Sequence, residues 1–250
     1  MWSDGPREGV FSTLLWQDGR GFADLPYHEA RIENHAERLR LQPHMDQLHD
    51  ALRESVRDQH GACLVRAMWR EGTWSCSPRA REQGVDHLDA ITTAAPRWAG
   101  RITGTKHAAW RWAEACLKAA EKAGADAALL VHEHRIVDEV RSTPLLLDED
   151  GACWTPKAGD GGVEGITLRV LESALAANGI PVMRGDLNER RVARARAMVL
   201  VGTGLGVSNV VSIDGVEFED PRLDLFEACS NAYEAHLADP STWSLLEVGT

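Results

Sequence analysis

The stretch AMVLVGTGLGVSNVVSIDG, Ala197 to Gly215, constrains the fold more than any other part of the chain. An apolar run, Ala197–Val201, leads into Gly202, Gly204 and Gly206, as a nucleotide-binding loop would. The dinucleotide fingerprint G-x-G-x-x-G needs its third glycine at position 207, where Val207 stands, and a helix directly afterwards. Instead the chain continues as VSNVVSIDG, β-branched residues closed by the turn signal Asp214-Gly215, which predicts a second strand. A strand–loop–strand cup has no helix N-terminus to hold a pyrophosphate. The Rossmann reading fails, and what the glycines approach is left open by the stretch itself.

The rest of the chain alternates the two periodicities. GVFSTLLWQDGRGFADL alternates apolar and polar residues around Gln17-Asp18-Gly19, a hairpin signal. PYHEARIENHAERLRL and HMDQLHDALRESVRDQ carry apolar residues at helical spacing, and ACLVRAMWREGTWSC returns to strand. SPRAREQGVDH is polar and carries Pro and Gly, so it reads as an inter-domain linker. Beyond it come a strand (LDAITTAAP), a helix stopped by Gly124, a hairpin (DAALLVHEHRIVDEV) and a helix ending at Gly179. The prediction is an α/β protein in two parts, a small N-terminal domain over 1–86 and a larger C-terminal domain over 87–250. No internal repeat or low-complexity segment is present.

A net charge of −11 over 250 residues argues against a nucleic-acid surface. No signal-peptide pattern or long apolar span appears, so a cytoplasmic protein without a membrane helix is expected. Five scattered cysteines without a C-x-x-C pair read as reduced thiols. His132 and His134 flank Glu133 and read as a polar turn rather than a metal site.

Five features stand in a telling order: YHEARIENHAERL, GTKHAAW, IVDEVRSTPLLL, TPKAGDGGVEGITLR and the glycine-bearing stretch 197–215. Together, from about Gly9 to Gly215, the sequence resembles the class IV aminotransferases, enzymes of fold type IV that use pyridoxal 5'-phosphate. The resemblance implies the two-domain architecture of D-amino acid aminotransferase and a homodimer acting on a small amino substrate. The family's opening strand pair is expected to be missing, because GVFSTL stands so near the first residue.

The resemblance also implies roles. By itself Lys106 is a solvated lysine ahead of a helix; the family's catalytic lysine, which bonds the cofactor's aldehyde, stands at this position, entering the helix. Asp138 and Glu139 alternate across one strand, so only one can reach the cofactor; the family's T-E-G-x-S-x-N pattern gives Glu139 the pyridine nitrogen and leaves Asp138 as a surface strand-end acid. Ser142 is retained from that pattern, and Pro144 replaces its asparagine. His28 and Arg31 suit the polar face of an amphipathic helix, whereas the family's H-x-x-R spacing makes Arg31 a phosphate-binding arginine. Gly165, Ile166 and Thr167 open a helix whose free N–H groups favour a phosphate; Leu168 replaces the family's arginine, and Arg169 has no role. Gly202, Thr203 and Gly204 resemble the loop that closes over the same phosphate from the other side.

Within the family, His107 after the lysine and Ser12 in place of a glutamate resemble aminodeoxychorismate lyase. That enzyme type releases pyruvate and 4-aminobenzoate from 4-amino-4-deoxychorismate. The alternative is an aminotransferase acting on a branched-chain, D-amino acid or amine substrate. Trp98, Trp110 and Trp112 are either an aromatic substrate wall or core. Arg66, Arg70, Arg101 and Arg141 are all open as the substrate-carboxylate binder.

Overall fold

The computed structural model describes residues 5–81, 85, 87–218 and 223–246. The break expected near residue 86 falls at a residue outside those described. The chain divides into two compact units: the first draws on the described parts of Met1–Glu82, Ala99–Trp110 and Leu237–Thr250, the second on those of Gln83–Trp98 and Arg111–His236.

In the first unit the elements are β1 (Gly9–Gln17), β2 (Gly21–Ala23), α1 (Leu25–Leu39), α2 (Leu48–Val56), β3 (Ala62–Arg70) and β4 (Thr73–Ala80). They build an antiparallel sheet ordered Trp243–Ser244, β2, β1, β3, β4. The register pairs Phe11 with Met68, Ser12 with Ala67 and Thr13 with Arg66. Period-two alternation puts Val10, Leu14 and Trp16 on one face, packed with Ile32, Ala36 and Leu39 of α1 and Leu48 and Leu52 of α2. Each such leucine contributes about 2 kcal/mol by leaving water. The buried positions of α1 (Leu25, His28, Ile32, His35, Ala36, Leu39) follow helical spacing and include two histidines. β4 extends through Ser77–Ala80, which the linker expectation had taken for loop. A proline is tolerated there because β4 is an edge strand, where a missing N–H costs little.

The second unit contains β5 (Leu88–Ala94), α3 (Arg111–Ala123), β6 (Ala127–His132), β7 (Arg135–Glu139), β8 (Thr143–Leu147), β9 (Cys153–Thr155), α4 (Ile166–Ala177), β10 (Val182–Arg184), β11 (Leu187–Asn188), α5 (Glu189–Ala193), β12 (Ala197–Gly202), β13 (Gly206–Ile213) and β14 (Val216–Glu217). Its mixed sheet runs β10-β9-β8-β12-β13-β5-β6-β7-β11, with β14 on β13. β8 and β12 are buried at every position, which is why they are nearly unbroken apolar runs. β12 and β13 pair antiparallel from Met198–Val210 to Gly202–Gly206, so the 197–215 stretch is a hairpin, as its composition predicts. Gly124 and Gly179 follow α3 and α4 at positive φ, 76° and 79°, where glycine carries no side-chain penalty. No helix among the described residues is long and apolar enough to cross a membrane.

Candidate active site

In the first unit, the segment around Lys106 is extended and completes the edge of β1. Phe11 N donates to Lys106 O (3.0 Å), Ala108 N donates to Gly9 O (2.9 Å), and Val10 bridges His107. Lys106 was expected to enter a helix, but α3 begins only at Arg111. The backbone groups along this part of β1 require partners, and this segment supplies them. Lys106 N also donates to His35 Nδ1 at 3.1 Å, so that nitrogen is unprotonated. Burial, followed by the charges of Arg31, Arg38 and Lys106, pulls His35 down to about 2.

The Lys106 ammonium lies 5.2 Å from the Phe11 ring centre and 5.0 Å from that of Trp110. These two rings meet edge to face at 5.1 Å. The Arg66 guanidinium stacks on Phe11 at 4.0 Å, on the strand face that Phe11 and Thr13 share. Arg70 instead pairs with Glu8 at 2.8 Å. His107 is buried and held neutral, its pKa lowered to about 4 by desolvation.

Arg31 and His28 are not a solvated helix face. Arg31 Nη2 donates to Ser12 Oγ (2.7 Å), leaving the Ser12 hydroxyl proton for His28 Nδ1 (2.8 Å). Ser12 and His28 are fully buried. Desolvation, then the charges of Arg31 and Lys106, holds His28 well below the usual imidazole range. Burial lowers Arg31 to about 10, still a cation at neutral pH. Among the described residues, Arg31 Nε and His28 Nε2 have no hydrogen-bond partner. Ser12 and Phe11 point to opposite faces of β1; Arg31 is tied to Ser12, and the Lys106 ammonium, from the segment at the edge of β1, lies near the Phe11 ring. The His-x-x-Arg spacing recurs two turns later at His35 and Arg38, a repeat legible in the sequence but passed over. Arg38 donates to the carbonyls of Arg101 and Thr103, just ahead of Lys106.

In the second unit, β7 pairs with β6 so that Asp138 lies opposite Leu130 and Glu139 opposite Leu129. Glu139 Oε2 accepts from Arg141 N (2.8 Å) and Ser142 Oγ (2.6 Å), while Oε1 has no partner among the described residues. Asp138 is a correction: it is buried, not a surface acid, and accepts from Val163 N at 2.9 Å. The loop to which it bonds is remote in sequence and gave no local signal.

The two expected phosphate loops of this unit lie against the same short segment. A side-chain carbon at Gly202 would come 3.0 Å from Arg141 O and 3.2 Å from Ser142 Cα; one at Gly165 would strike Thr143 Oγ1. Gly165 caps α4 without a side-chain hydrogen bond, and Ile166 and Thr167 behind it are buried. The first N–H groups of such a helix lack internal partners and sit at its positive end. Thr203 and Gly204 form the half-buried tip of the β12–β13 hairpin. Leu168 is buried in α4, and Arg169 is exposed. The first unit thus offers a primary amine and an arginine with a buried Nε, and the second a buried carboxylate and a helix start without a side-chain cap, each of a kind that pyridoxal phosphate requires.

The sequence profile of the family Amino-transferase class IV matches residues 9–213. A Legionella pneumophila structure, of a protein proposed as a 4-amino-4-deoxychorismate lyase, superposes with a TM-score of 0.82 at 19% identity, covering 92% of this chain and 91% of that one. A hypothetical aminotransferase from Mycobacterium tuberculosis, in its PLP-bound form, gives 0.77 at 21% identity over 92% and 89%. The Escherichia coli branched-chain amino acid aminotransferase gives 0.77 at 17% over 92% and 85%. These three share the fold. In sequence, the D-alanine aminotransferase of Listeria monocytogenes serotype 4b is 29% identical over 93 residues, 37% of this chain; the chain thus matches about a third of that relative, 32% of its length. With most of its length matched by one family profile and its fold shared with solved members, the chain belongs to the class IV aminotransferase family, whose members are pyridoxal-phosphate-dependent enzymes.

Proposed function

We propose that this protein is a pyridoxal-phosphate-dependent lyase that converts 4-amino-4-deoxychorismate to 4-aminobenzoate and pyruvate. The observation that carries the reading is the setting of Lys106. Its ammonium lies against Phe11 and Trp110, and Arg66 stacks on the same Phe11 ring. Aromatic walls with a fixed guanidinium suit an unsaturated ring substrate that carries carboxylates. Arg66 is accordingly assigned the substrate carboxylate. The Legionella neighbour, with 0.82 the highest TM-score of the three compared, supports the same choice.

The chemistry that bound pyridoxal phosphate supplies is an aldehyde to hold the substrate amine and a cationic ring to draw off electrons. Lys106 would hold the cofactor through its amine until the substrate amine displaced it. It would then move the proton from the aminated ring carbon to the methylene of the departing enolpyruvyl group, whose ether oxygen keeps the electron pair, giving pyruvate. No external oxidant or amino acceptor is needed. Glu139 Oε1 holds the proton at the pyridine nitrogen, with Ser142 and Arg141 N fixing the carboxylate through Oε2. Arg31, Gly165–Thr167 and Gly202–Gly204 hold the phosphate, with Thr203 giving its hydroxyl. The assembly is a cytoplasmic homodimer, as in the family it resembles.

The test is incubation with 4-amino-4-deoxychorismate and no keto acid: equal amounts of pyruvate and 4-aminobenzoate support the lyase. The local match to D-alanine aminotransferase favours a second reading. A transaminase would release no pyruvate there. An amino acid alone would bleach its bound cofactor, and a keto acid would restore the colour.

A further inference from the structure

We propose that Asp138 is a positioning residue that sets the phosphate-binding start of α4; the proposal rests on the assignment of pyridoxal phosphate to this site. β7 sends its two last side chains, Asp138 and Glu139, to opposite faces. On one, Glu139 Oε1 has no hydrogen-bond partner among the described residues. On the other, Asp138 Oδ2 accepts Val163 N at 2.9 Å while being only 8% exposed. The turn it grips is pressed onto β7: a side-chain carbon at Gly162 would come 2.5 Å from Val137 O and 3.4 Å from Asp138 Cγ. Two residues beyond Val163 comes Gly165, which caps α4 with no side chain of its own. The loop is tied again upstream, where Arg97 Nη1 donates to Asp160 O at 2.8 Å.

The placement of the α4 start therefore depends on clasps from outside the helix. Asp138 is the nearest of them, and a half-buried N–H left without an acceptor would shift to find one. One strand then registers both ends of the cofactor, with Glu139 at the ring nitrogen and Asp138, through Val163, at the phosphate. An asparagine oxygen could accept the same N–H; alanine or leucine could not.

The experiment titrates the full-length apoprotein with pyridoxal phosphate and, separately, with pyridoxal, which lacks the phosphate. The wild type should prefer pyridoxal phosphate. Asp138→Ala and Asp138→Leu should lose roughly tenfold in affinity for pyridoxal phosphate, with affinity for pyridoxal unchanged. Asp138→Asn should keep the wild-type preference. Gly162→Ala, which pushes the same turn off β7, should repeat the alanine result. Equal losses for both ligands, a loss in Asp138→Asn matching that in Asp138→Ala, or insolubility of the alanine, leucine and Gly162→Ala proteins together would overturn the positioning role. A wild type that binds neither ligand would instead remove the cofactor assignment itself.

Discussion

Ser142 donates its hydroxyl to Glu139 at 2.6 Å, so one oxygen of this buried carboxylate is fixed, while the other has no hydrogen-bond partner among the described residues. A neutral amide in place of Glu139 cannot hold a ring proton. Glu139→Gln should retain cofactor yet lose about 10²–10³ in turnover, as expected for about 2–4 kcal/mol of transition-state stabilisation. Ser142→Ala should lose less, since Arg141 N still holds Oε2. Steady-state rates at saturating cofactor check this; full activity in Glu139→Gln would remove the residue from the site.

Arg66 is assigned the substrate carboxylate because it shares the Phe11 ring with Lys106. Arg66→Met should raise KM by roughly 10- to 100-fold, the range for a lost charged hydrogen bond. Cofactor affinity should not change. An unaltered KM, with the loss appearing in cofactor binding, would contradict the assignment.

Arg31 Nε is buried without a hydrogen-bond partner among the described residues and is proposed to bind the phosphate. Arg31→Ala should weaken pyridoxal phosphate binding about 10- to 100-fold with a smaller effect on the saturated rate. Thr203→Ala should act in the same direction, more weakly. If Arg38→Ala weakens binding and Arg31→Ala does not, the contact belongs to the second His-x-x-Arg pair.

Three buried histidines make a prediction about acid. His28, His35 and His107 are all held below the ordinary value near 6.5, the last two at about 2 and about 4. The unfolded chain therefore binds more protons than the folded one once the pH falls below about 6.5. Their contribution is fully present above 6.5 and is lost as pH falls toward each folded value, at up to about 1.4 kcal/mol per pH unit per histidine. Urea unfolding should show stability dropping between pH 6.5 and 4, and His35→Asn should flatten the slope by about one proton. A stability that is constant across that window would contradict the burial of these rings.

What the sequence displayed well was local. The 197–215 hairpin was legible because β-branched runs and an Asp-Gly turn act over a few residues, and Gly124 and Gly179 marked helix ends for the same reason. The second half of β4, Ser77–Ala80, was hidden because Pro78 looks like a strand breaker until its edge position is known. Lys106 looked like the start of a helix because nothing nearby reveals that β1 needs a partner there. Asp138 read as a surface acid because its bond to Val163 spans 25 residues. The stacking of Arg66 on Phe11 was not legible because it depends on the β1–β3 register, which sets Arg66 opposite Thr13 across about fifty residues of chain.

The most direct measurement is borohydride reduction of the protein reconstituted with pyridoxal phosphate, followed by peptide mapping. One pyridoxyl-modified peptide, containing Lys106, is expected, and Lys106→Ala should yield none. A colourless protein that takes up no label, or label carried stably on a different lysine, would contradict the assignment of Lys106 and the enzyme built on it.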